Sequence, residues 1–302
     1  MTDRIIDIAE TAAYLRIENR RLVIEPKGGV ESAAVPLEET AVLLLSQGGS
    51  TLTQAVMADL PAAGGVIVAC DKNYMPASMT IPYVGHYLHS ERLRRQLEAS
   101  EAAKKRFWQQ IVQSKIAHQG EALRRRYGGA QDFEFYRAKV RSGDPANIEG
   151  QVAKRYWASL FREHPDFTRD YTGDGINALL NYGYTVLRAM TARAICANGL
   201  HPACGLHHRN RYNAFCLADD LMEPFRPLVD IAVERLAANG DRAQLNRQSK
   251  QTLIEALTAS VNLNGEHVRV FEALQRLCAS LVNGFGRSNA KLALPERLWV
   301  NK

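Results

Sequence analysis

The chain has 302 residues, of which 46% are hydrophobic and 23% are charged. This composition excludes a disordered chain, a collagen-like chain and a disulfide-rich miniprotein, and the length favours two domains of ordinary size. The formal net charge of +6 is only a mild bias toward anionic partners, because net charge bears on association and solubility rather than on fold.

Targeting signals are missing from the sequence. The segment Met1 to Arg4 is not a basic stretch followed by an apolar core, so we expect no signal peptide. The longest aliphatic runs, 41–45 and 66–69, are far shorter than the roughly 20 residues that a membrane-spanning helix needs. The chain has five cysteines with no close pairs, which fits reduced thiols. We therefore expect a soluble, cytoplasmic protein without a membrane partner.

The first 83 residues have short, strand-like patterns. Residues 15–18 alternate apolar and polar side chains, Asn19-Arg20 can form a turn, and residues 22–24 are an apolar return segment, which together predict a β-hairpin. The apolar runs 41–45 and 66–69 predict two buried strands, and the segment between them predicts one helix. We therefore predict a small β-rich domain at 1–83.

From about residue 87 the pattern changes to apolar side chains that repeat every 3.6 residues, with Gly and Pro between the repeating stretches. This predicts a hinge at 84–90 and a larger all-α domain at 91–302, so the predicted fold class is α+β. The predicted helical stretches are 88–126, 147–163, 175–198, 217–239, 248–260 and 266–284.

Charge is divided unevenly between the two parts. Residues 1–83 contain 6 basic and 10 acidic side chains, whereas residues 92–155 contain 15 basic and 7 acidic ones with aromatic residues among them. Lysine and arginine concentrated along helices are typical of proteins that bind the phosphate backbone of nucleic acids. The plainer alternative is a solvated helix face.

Common catalytic motifs are missing. The sequence has no P-loop, no Gly-x-Gly-x-x-Gly after a strand and no Gly-x-Ser-x-Gly elbow. Chemistry driven by ATP or NAD, and acyl transfer through a serine, therefore have no candidate residues.

A polar segment around His208 to Glu223 is the first candidate site. On a helix, Asp220 and Glu223 lie three residues apart and share one face. Two carboxylates with an imidazole upstream form an oxygen-rich site suited to Mg²⁺ or Mn²⁺, and such an ion can polarise a phosphodiester. The alternative is that these acids only stabilise a helix N-terminus.

Two further sets of residues are candidates for a functional site. Glu149 begins a predicted helix beside Gly150, and by itself it reads as a capping residue. Six potential zinc ligands fall close together in the sequence, but they lack the paired spacing of structural zinc sites, and their cysteines fit small core residues better. They are Cys196, His201, Cys204, His207, His208 and Cys216.

Together these segments resemble the CRISPR-associated integrase family of the adaptation step, the universal first member of the CRISPR-associated protein set. The resemblance covers essentially the whole chain, and the run 220–230 looks most like members from type II systems. The matching blocks, in order, are Asn147 to Gly150 with Tyr156-Trp157, Asn177 to Tyr184, Asn198 to Leu200, His208, and Asp220 to Pro227.

The resemblance implies a set of site residues. Glu149, His208 and Glu223 match the metal-binding and catalytic triad of the family, and Asp220 matches a further acidic position near the metal. The implied cofactor is Mg²⁺ or Mn²⁺. No counterpart is assigned to His207 or Asp219.

The resemblance also implies an activity and partners. Family members are metal-dependent endonucleases and strand transferases that insert short DNA duplexes (spacers) into the CRISPR array. A DNA 3′-hydroxyl attacks a repeat-boundary phosphodiester, and no ATP is needed. The implied partners are double-stranded DNA, a second copy bound through the β-rich domain, a small adaptation protein that bridges two dimers, and the type II effector nuclease. From the residues alone, a non-catalytic nucleic-acid-binding protein and a helical scaffold remain as alternatives.

Overall fold

The structure is a computed structural model that describes residues 3–29, 31–71, 76–82, 85–129, 132–238 and 243–300. The N-terminal part of these ranges forms two four-stranded sheets and a helix. Its elements are β1 Arg4–Ile8, β2 Ala13–Glu18, β3 Arg21–Pro26, β4 Ala33–Pro36, β5 Thr40–Leu45, β6 Thr51–Leu52, α1 Gln54–Ala62, β7 Val66–Cys70 and β8 Pro76–Thr80.

The sheets have the orders β1-β5-β7-β8 and β4-β3-β2-β6. In the first sheet β1, β5 and β7 are parallel, and β8 is antiparallel to β7. In the second, β2 and β3 form the predicted hairpin. Its turn residues Asn19 and Arg20 have φ angles of 48° and 58°, as expected for the two-residue turns whose twist matches that of paired strands.

The strands β5 and β7 are buried on both faces. Leu43 and Ile67 belong to the core of the β-rich part, whereas Val42, Val66 and Val68 belong to the core that continues into the helices. Burial on both sides explains why these strands appear in the sequence as unbroken apolar runs.

The rest of the described chain is mainly helical, so the prediction of a β-rich part followed by a helical part is confirmed. Its elements are α2 His89–Glu98, α3 Glu101–Tyr127, α4 Phe133–Lys139, α5 Ile148–Leu160, α6 Ile176–Ala197, α7 Cys216–Met222, α8 Arg226–Ala238, α9 Arg247–Thr258, β9 Ser260–Leu263, β10 Glu266–Arg269 and α10 Val270–Gly284. In the part of the chain that the structure describes, no helix is long and apolar enough to cross a membrane.

Within the described residues, the helical part departs from the all-α expectation at the hairpin β9–β10. Its second strand, Glu266–Arg269, begins the predicted helical stretch 266–284, and the helix starts only at Val270. The two-residue turn of the hairpin is Asn264-Gly265, with φ angles of 54° and 79°. Asn-Gly is a strong hairpin signal because both residues tolerate a positive φ. The domain boundaries at 83 and 91 stay predictions, and residues 83 and 84 lie outside the described residues.

Two of the predicted helices are interrupted. The stretch 88–126 breaks before Ser100, whose hydroxyl accepts the N–H of Ala103 at 3.2 Å and so caps α3. The stretch 217–239 breaks at a 3₁₀ turn, Glu223–Phe225, which contains Pro224. Proline lacks the N–H that would continue the ladder of hydrogen bonds, and short 3₁₀ turns are frequent at such junctions.

The β-rich and helical parts are joined by polar contacts at β1. Asp7 accepts a hydrogen bond from the Tyr182 hydroxyl at 2.8 Å and lies 3.2 Å from the Lys250 ammonium. Within the helical part, α6 and α8 pack so closely that a Cβ atom at Gly183 would overlap the Val229 side chain. These contacts place α6 at the centre of the molecule.

Candidate metal site and nucleic-acid surface

Glu149 lies in the first turn of α5, and neighbouring side chains cap that turn. Asp144 accepts the N–H groups of Ile148 and Glu149, each at 2.9 Å, and Asn147 accepts the N–H of Gly150 at 3.2 Å. The first N–H groups of a helix have no partner within the helix, so these contacts stabilise its start. They also fix the point from which the Glu149 side chain leaves the backbone.

Glu149 and Glu223 share one buried ammonium group. Lys115 of α3 contacts the Glu149 carboxylate, and its Nζ lies 2.6 Å from Oε2 of Glu223. The side chains of Lys115 and Glu223 are only 10% and 6% exposed, and that of Glu149 is 26% exposed. Arg226 approaches the other oxygen of Glu223, with Nε 2.9 Å from Oε1.

These contacts keep Lys115 and Glu223 ionised. Burial lowers the pKa of Lys115, but Glu223 and Glu149 more than offset this, so its pKa lies above the usual value. Burial raises the pKa of Glu223, but Arg226 and Lys115 more than offset this, so its pKa lies below the usual value. Opposite charges therefore outweigh desolvation for both groups.

His208 is held by Asp220, whose side chain has no exposed surface. Asp220 accepts the N–H groups of Leu206, His207 and His208 at 2.6, 3.0 and 3.2 Å, and its Oδ1 lies 2.7 Å from Nδ1 of His208. This hydrogen bond raises the pKa of His208 above its usual value, against the effect of burial. Because Nδ1 is engaged, Nε2 is the ring nitrogen available to a ligand.

The loop that carries His208 is also packed against α3. The Trp108 indole stacks on the His207 imidazole with centroids 4.2 Å apart and planes 1° apart, and it meets His208 edge-on at 5.7 Å. A Cβ atom at Gly205 would lie 2.9 Å from that of Cys216, so the loop needs glycine there. Three features therefore position His208: its hydrogen bond to Asp220, its edge-on contact with Trp108, and the tight turn at Gly205.

The structure therefore brings the predicted residues together in two pairs, Glu149 with Glu223 and His208 with Asp220. Both pairs lie against α3. Among the residues described, no three or more His, Cys, Asp or Glu side chains are already arranged to hold a metal ion, and this covers the zinc candidates. All five cysteines are free, and burial raises the pKa of Cys196 to about 12, as suits a core residue.

The donor set nevertheless suits a hard divalent cation. An imidazole nitrogen with two carboxylates is a combination that Mg²⁺ or Mn²⁺ accepts. Glu149 and Glu223 already converge on one positively charged atom, the Nζ of Lys115. The chemistry of the residues present therefore fits the ion that the sequence implies.

Sequence reasoning missed several residues of this site, above all Lys115, Trp108 and Asp144. Lys115 and His118 are buried on the core side of α3. His118 contacts the carbonyls of Pro224 and Pro295 at 2.7 and 3.0 Å, and burial lowers its pKa to about 4. Ionisable side chains on the apolar face of a helix are unusual. The place of Lys115 and His118 on that face was the one sequence feature that could have indicated their role.

A second buried acid lies behind the site. Asp230 of α8 is 1% exposed and accepts a hydrogen bond from the Tyr184 hydroxyl. Burial raises the pKa of Asp230 to about 7. The Arg226 guanidinium lies 4.6 Å from the centre of the Tyr184 ring. Tyr184 and Arg226 therefore connect Asp230 to Glu223, because Tyr184 bonds to Asp230 and Arg226 pairs with Glu223.

Many basic side chains of residues 92–155 are exposed. Aromatic rings accompany some of them: Lys139 lies 3.8 Å from the Phe135 ring centre, and Phe135 is 57% exposed. Exposed cations can bind the phosphates of a nucleic acid, and exposed aromatic rings can stack on its bases. The exposed basic residues are Arg94, Arg95, Lys105, Arg124, Arg125, Arg137, Lys139, Arg141, Lys154 and Arg155; we refer to them as the basic surface.

Comparison with known proteins identifies the family. The family model described as "CRISPR associated protein Cas1" matches residues 6–258. The CRISPR-associated endonuclease Cas1 of Neisseria meningitidis serogroup C is 36% identical over 300 residues, which are 96% of this chain and 95% of that protein.

Solved structures share the fold. A casposase bound to its integration product superposes with a TM-score of 0.75 at 20% identity, covering 96% of this chain and 95% of that one. The Cas6–RT–Cas1 chain of a complex with Cas2 gives a TM-score of 0.76 at 18% identity, covering 99% of this chain and 36% of that one. The chain belongs to the Cas1 family of CRISPR-associated endonucleases.

Proposed function

We propose that Glu149, His208 and Glu223 form the catalytic site at which this Cas1-family endonuclease joins short DNA duplexes to CRISPR repeats. The observation that carries the proposal is the meeting of Glu149 and Glu223 at one buried ammonium, with α3 also packed against the loop of His208. Two poorly solvated carboxylates repel one another and are stable together only beside positive charge, which Lys115 supplies here and which a divalent cation could also supply.

The proposed cofactor is Mg²⁺ or Mn²⁺, held by carboxylate oxygens of Glu149 and Glu223 and by Nε2 of His208. When bound, it would polarise the phosphodiester and stabilise negative charge on the leaving oxygen. Asp220 takes a different role. Both of its oxygens already accept hydrogen bonds, so it positions His208 and is not a ligand.

The reaction is a transesterification in which a DNA 3′-hydroxyl attacks a phosphodiester at a repeat boundary. One P–O bond forms as another breaks, so the step needs no ATP, in keeping with the lack of a P-loop. The basic surface would hold the duplex through its phosphates, and binding there would depend little on sequence and strongly on salt.

The proposed partners are double-stranded DNA, a second copy of the chain and a Cas2-like protein that bridges two dimers. The solved complex in which a Cas6–RT–Cas1 chain occurs with Cas2 supports the last of these. Dimerisation through the β-rich part, a type II origin with its effector nuclease, and action in the cytoplasm remain parts of the proposal that follow from the resemblance.

A strand-transfer assay tests the proposal. A fluorescent 3′-hydroxyl duplex is incubated with a supercoiled repeat plasmid, Mn²⁺ and the Cas2-like partner. Glu149→Gln and His208→Ala should reduce incorporation of label about 100-fold or more, because each removes a ligand. Glu163→Gln, the same chemical change at an exposed glutamate, should retain activity. Equal incorporation by the two site variants would refute the assignment.

The alternative, a non-catalytic nucleic-acid-binding protein, treats the acids as helix caps. At α5 this is weakened because Asp144 and Asn147 already cap the helix without Glu149. The alternative predicts salt-dependent DNA binding and no strand transfer by the unaltered protein. A helical scaffold predicts no DNA binding at physiological salt.

A further inference from the structure

We propose that Lys115 is an internal counter-cation of the metal site, which holds Glu149 and Glu223 together in the metal-free protein and withdraws when a divalent cation binds between them. This inference rests on the proposed function, since it concerns the same carboxylates.

The first argument is the cost of the arrangement without Lys115. Glu223 is 6% exposed and Glu149 is 26% exposed. Two carboxylates brought together with so little water would repel one another and would lose hydration. The Lys115 ammonium contacts both of them, so it offsets their charge without a metal ion, although Oε2 of Glu223 has no hydrogen bond of good geometry.

The second argument is that the two cations of the cluster differ in freedom. The Arg226 guanidinium forms an ion pair with Glu223, with Nε 2.9 Å from Oε1, and packs over the Tyr184 ring. Contacts on both its edge and its face keep this planar group in one position. Lys115 places a compact charge at the end of a flexible four-carbon stem. Of these two groups, Lys115 is the one that can leave the space between the carboxylates.

The third argument is charge balance. Glu149 and Glu223 together carry two negative charges, and Lys115 and Arg226 carry two positive charges. A divalent cation added to this balanced, buried group would create an excess of positive charge, which is unfavourable at short range in a poorly solvated site. Withdrawal of Lys115 relieves part of this excess. The lysine therefore weakens metal binding in the absence of DNA, while it stabilises the metal-free fold.

The test measures Mn²⁺ affinity by calorimetry in the full-length protein without DNA. Lys115→Met should bind Mn²⁺ about tenfold more tightly than the unaltered protein, because the competing charge is gone. Its melting temperature without metal should fall, and the gain on adding Mn²⁺ should be larger. Lys115→Arg, which keeps the charge, should show no such tightening. Lys291→Met makes the same change at an exposed lysine outside the basic surface and should leave the affinity unchanged.

The outcomes separate this inference from the proposed function. If the unaltered protein binds Mn²⁺ and Glu149→Gln abolishes binding, but Lys115→Met binds no more tightly, the role of Lys115 is refuted and the metal site stands. If the unaltered protein binds no Mn²⁺, both fail.

A crystal structure of the unaltered protein with Mn²⁺ decides the matter should Lys115→Met not fold. Nζ of Lys115 out of hydrogen-bonding range of both carboxylates supports the inference. Nζ still between them beside bound Mn²⁺ overturns it.

Discussion

Replacing Asp220 with asparagine tests whether this side chain positions His208 or binds the metal. In the structure its two oxygens accept three backbone N–H groups and face Nδ1 of His208, with distances between 2.6 and 3.2 Å. Asparagine has nearly the same shape, but one of its two terminal groups donates hydrogen bonds instead of accepting them. Wherever that NH₂ group points, it meets donors.

The size of the effect follows from these contacts. If the amide oxygen takes the place of Oδ2, the N–H of His208 loses its acceptor, and so does Nδ1–H in the tautomer that leaves Nε2 free for a ligand. A buried donor left without a partner costs about 1–3 kcal/mol. Two such donors, partly offset because a buried charge is also removed, lower the free energy of unfolding by about 3 kcal/mol. The pKa of His208 should fall as well, because its hydrogen bond to Asp220 is the largest cause of its rise.

Urea denaturation gives the stability, and NMR titration of the His208 ring gives the pKa. Asp166→Asn, the same substitution at an exposed aspartate, controls for the loss of one negative charge. Unchanged stability and an unchanged His208 pKa in Asp220→Asn would refute the positioning role. A loss of Mn²⁺ affinity without either change would instead make Asp220 a ligand.

Three further predictions concern packing, pH and the His208 loop. Gly183→Ala should cost about 1–3 kcal/mol of stability through overlap with Val229, and combining it with Val229→Ala should recover part of this, as measured by thermal unfolding. Asp230 has a folded pKa of about 7, above its unfolded value. Its contribution to stability is therefore complete at low pH and is lost as pH rises toward 7, on the order of 4 kcal/mol in all. The melting temperature of Asp230→Asn minus that of the unaltered protein should accordingly increase from pH 5 to pH 8. Trp108→Leu removes the ring on which His207 stacks and should slow strand transfer about tenfold or more, with DNA affinity unchanged.

Each of these has a contrary result. Additive losses in the double variant would show that Gly183 and Val229 do not compete for the same space. A melting-temperature difference that is flat with pH would show that Asp230 is not protonated by burial. Full activity of Trp108→Leu in a stable protein would show that the stack on His207 does not place His208.

Local signals allowed much of the fold to be predicted. The hairpin β2–β3 is specified by alternation in its first strand, a turn at Asn19-Arg20 and an apolar second strand. The helix α6 is specified by a long apolar period that ends near Gly199. The sequence indicated Glu223 through its spacing from Asp220, and the role of Glu149 came from the family resemblance. The one sign of the cation between them was the place of Lys115 on the apolar face of α3. Lys115 could not be paired with them because the contact depends on how α3 packs against α5 and the 3₁₀ turn, which is tertiary information. The interruption at Pro224 was readable in principle, since proline rarely continues a helix.

The long helix α3 has a consequence for how the proposed site responds to damage. Its 27 residues contact every separate segment of the site: Trp108 reaches the His208 loop, Lys115 reaches Glu149, and both Lys115 and His118 reach the turn after α7. None of those segments can hold its neighbours in place without this helix. Cleavage or displacement of α3 should therefore disturb all of the proposed site side chains at once, whereas damage to any one of the other segments should leave the remaining contacts with α3 in place.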